Sequence, residues 1–114
     1  TMSLGGHGTA NMTGNIAPRE LAAISEPWHE GGSAEKFREA YLTNLSLLHY
    51  TYSAINPVAV KSLMAAVGLP AGPLREPLRG LTGEALQNGV DIVRELGLDQ
   101  AYGFSMQGEI RSVA

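Results

Sequence analysis

The chain has 114 residues, 44% hydrophobic and 17% charged, and its 8 Lys and Arg against 11 Asp and Glu leave a formal net charge of −3. This is the size and composition of one ordinary globular domain, and with no basic block it excludes a nucleic-acid partner recognised by charge. The absence of cysteine rules out disulfides, thiolate metal sites and a cysteine nucleophile, and no apolar run approaches the roughly 18 residues of a membrane span. No secretory pattern opens the chain either, so the expectation is a cytoplasmic protein with no membrane partner.

Four glycines, Gly5, Gly6, Gly8 and Gly14, flank Thr9 to Thr13, which predicts a tight turn, a brief strand and a second turn. One strand cannot make a sheet, and Thr1 stands before Met2 with nothing ahead of the glycine-rich stretch. A chain cut from something longer is the expectation. Pro18 suits the first position of a helix, and Leu21, Ile24 and Trp28 place an apolar stripe on it until Pro27 ends or kinks it.

Ser33 is a candidate N-cap, and Phe37, Tyr41, Leu45, Leu48 and Tyr52 recur at helical steps, predicting one helix over residues 34–54. Asn56 and Pro57 predict the cap and first position of the next helix, with Val60, Leu63, Met64 and Val67 facing inward and Gly68 and Pro70 stopping it. A Pro/Gly-rich linker leads to Thr82, the predicted cap of a helix carrying Leu86, Val90, Val93 and Leu96 and closed by Gly97 with Leu98 behind it. Residues 99–114 show no sustained period and are expected to be an irregular tail.

Two stretches carry a resemblance. GGHGTANMTGNIAPREL is similar to the last barrel strand and following helix of the dihydrodipicolinate synthase and N-acetylneuraminate lyase family. NPVAVKSLMAAVGLPAGPLREPLRGL resembles that family's Asn-Pro-x-x-Val-Lys helix, its Gly-Leu ending and its Arg-Pro linker. The order and spacing agree, with the expected helix between them.

The implied fold class is α/β. The chain corresponds to the C-terminal fragment of a (β/α)8 TIM barrel, with residues 1–32 as the last strand and helix and 33–98 as a helical extension of three helices. The fragment itself would be mostly α-helical. The implied parent activity is that of a Schiff-base lyase or aldolase. A lysine amine on an earlier strand condenses with a 2-keto acid such as pyruvate, and the resulting imine serves as electron sink. That lysine segment has no counterpart here, so no catalytic residue is assigned and the fragment is expected to be inactive alone.

What the resemblance carries over is the pocket wall at the end of the eighth strand, matched by Ala10, Asn11 and Met12. The family often has a branched aliphatic where Ala10 stands, and small or hydroxyl residues at the next two positions. The usual substrates therefore do not transfer directly. No cofactor is implied, and the parent is expected to be a homo-oligomer.

Other chemistry is weakly signalled. Lys61 lies in an amphipathic helix beside a solvated face, without the burial an imine-forming lysine needs, and a structural role is expected. His7, His29 and His49 are 22 and 20 residues apart, with no HxH or HExxH spacing, so no metal site is assigned. The GGHG stretch lacks the GK[ST] of a phosphate loop, and no G-x-S-x-G elbow supports a hydrolase. The competing reading is a helical interaction or oligomerisation module whose apolar stripes meet a partner; an all-helical domain unrelated to the aldolases ranks third.

Overall fold

A computed structural model describes residues 1–106. Its regular elements are six α-helices: α1 Pro18–Ile24, α2 Ala34–Thr43, α3 Leu45–Thr51, α4 Val58–Ala66, α5 Gly83–Glu95 and α6 Leu98–Tyr102. Short 3-10 turns at Met2–Leu4, Met12–Asn15 and Trp28–Glu30 join them, and no β-strand occurs among the described residues. The mostly helical character expected of the fragment is what the structure has.

Thr9 to Thr13, expected to be a strand, forms none. A strand's N–H and C=O groups need a neighbouring strand, and none lies beside it among the described residues. The chain stays extended only as far as Asn11 (φ −144°, ψ 131°) and then tightens into the Met12–Asn15 turn.

The core forms where α3, α4 and α5 close over that turn. Ile16, Leu47, Leu63, Val67, Val90 and Val93 are all at most 1% exposed. α1 starts with Pro18, has Glu20 in its first turn and stops at Ile24, short of Pro27. Of its predicted stripe only Ile24 is buried, with Leu21 and Trp28 half-covered.

The single helix expected over residues 34–54 is two helices. Asn44 departs from helical geometry (φ −102°, ψ 9°), and its side-chain amide donates to the Ala40 carbonyl at 2.9 Å, competing with the helix's own ladder. The break re-aims α3, so Leu47, Tyr50 and Thr51 turn inward while Tyr52 is 59% exposed. α2 buries no residue; its aromatics pack on the surface, Phe37 stacked on Tyr41 at 5.5 Å and edge-on to Trp28 at 6.3 Å. Ser33 caps α2 as expected, its hydroxyl accepting the Lys36 N–H at 3.1 Å.

Asn56 does not cap α4. Pro57 takes the cap position, and the Val58 N–H is met by the Ile55 carbonyl at 2.8 Å, so the backbone already satisfies the donor that a cap would serve. Likewise Thr82 precedes α5 without a side-chain capping bond. The end of α5 follows expectation: Gly97 is left-handed at φ 69° and Leu98 behind it is 2% exposed.

Leu98 then opens α6, which replaces the start of the irregular tail expected from residue 99. The reason is tertiary: Leu98 sinks into the core, and Tyr102 reaches the start of α1. The rest of that tail, residues 107–114, lies outside the described residues.

The Cα radius of gyration is 15.1 Å and the extents are 50 × 31 × 20 Å. A self-contained domain of this length would have a radius near 13 Å, so the helices form a slab rather than a ball.

Candidate functional site

The turn that follows the glycine-rich stretch is organised by its own polar side chains. The Asn11 Oδ1 accepts the Thr13 N–H at 2.9 Å, and the Asn15 side-chain amide donates to the Met12 carbonyl at 2.9 Å. Behind the turn the Thr13 and Thr51 hydroxyls meet at 2.8 Å, both buried. Thr51 gives its one hydroxyl proton to the Leu48 carbonyl at 2.9 Å, so the proton between the two threonines comes from Thr13.

The three pocket-wall candidates sit differently along this turn. Ala10 is exposed, Asn11 is half-buried with its side chain folded back as a cap, and Met12 packs against the core cluster. They follow one another into the Met12–Asn15 turn.

Next to this turn the structure builds a cluster that spacing could not reveal. The Tyr102 hydroxyl donates to Glu20 Oε2 at 2.5 Å and accepts the Arg19 N–H at 2.9 Å. The Arg19 guanidinium lies 4.4 Å over the Tyr102 ring and donates to the Ala101 carbonyl at 3.2 Å. Partial burial, and then the Glu20 carboxylate, hold the Tyr102 phenol above its ordinary pKa. Arg19 belonged to the matched stretch; its partner lies 83 positions on, in a segment without periodicity.

The two lysines, Lys36 and Lys61, are both committed to backbone carbonyls. Lys36 Nζ donates to Gly31 at 3.0 Å, and Lys61 Nζ donates to Pro73 at 2.8 Å. Lys61 thereby ties the linker after α4 to that helix. Ser62 does the same, its hydroxyl donating to the Val58 carbonyl at 2.7 Å and accepting the Leu81 N–H at 2.8 Å.

Of the three histidines, His7 and His29 come together, with ring centroids 4.9 Å apart and planes at 89°. His49 stays on α3. Between α1 and α2 runs an open groove of about 350 Å³, lined by Glu26, Lys36, Glu39 and Asn44 among others.

Helices without a sheet, packed as a slab behind a glycine-rich turn, are what one edge of a barrel looks like when cut from its strands. Solved structures bear this out. A dihydrodipicolinate synthase crystal structure superimposes with a TM-score of 0.76 at 31% identity, covering 85% of this chain and 33% of that one. The dihydrodipicolinate synthase of Thermotoga maritima superimposes at 0.67 with 25% identity, over 75% of this chain and 28% of that one. The chain is a helical fragment of the TIM-barrel architecture.

Sequence comparison gives the family. Residues 1–96 match the profile of the dihydrodipicolinate synthetase family. The 4-hydroxy-tetrahydrodipicolinate synthase of Methanococcus vannielii is 36% identical over 77 residues, 68% of this chain and 26% of that protein. The enzyme of the same name from Lachnoclostridium phytofermentans is 32% identical over 97 residues, 85% and 33% respectively. The chain therefore belongs to the dihydrodipicolinate synthetase family, as a fragment of a lyase-family protein. It spans about a third of the length of the relatives it matches.

Among the described residues no helix is long and apolar enough to cross a membrane.

Proposed function

We propose that these 114 residues are the C-terminal part of a cytoplasmic Schiff-base lyase acting on pyruvate-type 2-keto acids. In the complete protein, a homo-oligomer, Ala10, Asn11 and Met12 form part of the keto-acid pocket wall. The chain taken alone is inactive, because the imine-forming lysine of the family falls in a strand that these residues do not include. The observation that carries this reading is the family match over residues 1–96. It is supported by the state of the lysines: Lys36 and Lys61 both hold backbone carbonyls, and an imine former must instead present a free amine to a pocket.

A second reading, an interaction module without catalysis, has an observation of its own. Leu4, Leu42 and Ile55 are 91%, 54% and 70% exposed on a slab-shaped molecule, which suits helices that cover something.

Incubating the chain with pyruvate and sodium borohydride, then weighing it intact, tests the first reading. The expected result is an unchanged mass. An adduct on Lys61 or Lys36 would give this chain an imine chemistry of its own and sink the proposal.

A further inference from the structure

Two segments that sequence spacing left unrelated meet at one corner of the molecule and bring three metal-ligating side chains together. His7 lies just after the N-terminal turn, and His29 and Glu30 lie in the 3-10 turn after α1. One nitrogen from each imidazole and one Glu30 oxygen all fall within 4.8 Å of one another. His29 Nε2 stands 3.7 Å from Glu30 Oε1, and the His7 ring meets the His29 ring edge-on. We infer that His7, His29 and Glu30 form a three-ligand site for a zinc-type divalent cation.

The donor set selects the ion class. Two imidazoles and one carboxylate are the ligands of borderline ions such as zinc, whereas calcium and magnesium take oxygen donors throughout. Three ligands leave a fourth tetrahedral position for water. Around zinc, ligand atoms sit about 3.3 Å apart. The three side chains are exposed, so small side-chain rotations close the remaining distance without disturbing the core.

The backbone on both sides is already fixed. The Gly6 N–H donates to the Thr1 carbonyl at 3.0 Å, and a β-carbon at Gly6 would come within 2.5 Å of the Thr1 side chain. On the other side the Glu30 and Gly32 N–H groups both donate to the Pro27 carbonyl at 3.0 Å, and a β-carbon at Gly32 would stand 2.6 Å from the Glu26 carbonyl oxygen. Beyond His7, the Thr9 hydroxyl meets the Ser25 hydroxyl at 2.7 Å, holding the two segments side by side. A cation here would clip the glycine-rich segment to the end of α1.

Zinc chloride titrated into the 114-residue chain, followed by calorimetry and by the imidazole NMR resonances, tests the site. The expected result is saturable 1:1 binding that shifts two of the three histidine ring systems. His7→Gln and His29→Gln should each weaken binding about tenfold or more because each removes a zinc-preferring imidazole nitrogen, Glu30→Gln less because its amide oxygen can still ligate, and His49→Gln not at all because His49 lies on α3 outside the cluster. Circular dichroism checks that the variants keep their helices. The inference is overturned if binding does not saturate, if His7→Gln and His29→Gln both bind zinc unchanged, or if the loss follows His49. Shifts of all three ring systems together, or of none, would overturn it on the unsubstituted chain.

Discussion

Tyr50 occupies the space that a side chain at Gly89 would fill. A β-carbon at position 89 would stand 2.3 Å from Tyr50 Cζ and 2.5 Å from its hydroxyl oxygen, which donates to the Ala85 carbonyl at 2.8 Å. The hydroxyl end of the α3 ring thus lies against the backbone of α5 at Gly89, where a larger residue would hold the two helices apart. Gly89→Ala should therefore destabilise the chain. Overpacking costs about 1–3 kcal/mol, offset by up to about 1 kcal/mol of better helix propensity, and urea denaturation should show a net loss. An unchanged or raised midpoint would mean that the ring moves aside freely.

The same ring makes stability depend on alkaline pH. Burial pushes the Tyr50 phenol up from 10.0 to about 12. Between these values the unfolded chain gives up its proton while the folded chain keeps it. The stabilisation is complete below pH 10 and is lost as pH rises toward 12, a drop of about 2–3 kcal/mol. Tyr102 is shifted in the same direction but is more open to solvent and adds less. Thermal melts at pH 9 to 12 should show the decline, and Tyr50→Phe should flatten most of it.

Thr13 and Thr51 form a buried hydroxyl relay that ends on the Leu48 carbonyl. Thr51→Val leaves the Thr13 hydroxyl without its acceptor inside the core, at a cost of about 1–3 kcal/mol. Replacing both threonines by valine removes the orphan, so the double variant should be less destabilised than the sum of the singles. Simple additivity in a denaturation cycle would show that the pair is not coupled.

Tyr102 fastens α6 to the start of α1 through Glu20 and the Arg19 N–H. Tyr102→Phe keeps the ring under the Arg19 guanidinium but removes both hydrogen bonds. The amides of α6 should then exchange with deuterium several-fold faster while those of α4 and α5 keep their rates. Equal acceleration everywhere would mean that the cluster supports the whole fold rather than one end.

Local chemistry made much of this protein legible from its residues. Pro18 starts α1, Ser33 caps α2, and Gly97 with Leu98 ends α5, because caps and left-handed glycines act within a turn of the chain. Val90 and Val93 face inward as the helical period requires, and the two matched stretches carried the family.

Tertiary contact decided the rest. A strand exists only beside another strand, so Thr9 to Thr13 could not become one here, whatever its residues favour. A helix whose apolar spacing ran unbroken is split at Asn44, whose side-chain amide shares the Ala40 carbonyl with its own N–H, and Gly89 is a socket only because Tyr50 reaches it. His7 and His29, like Arg19 and Tyr102, are distant in the chain and adjacent in space. Spacing along a sequence reports only what a helix or turn brings together, whereas these pairs are brought together by how whole segments pack.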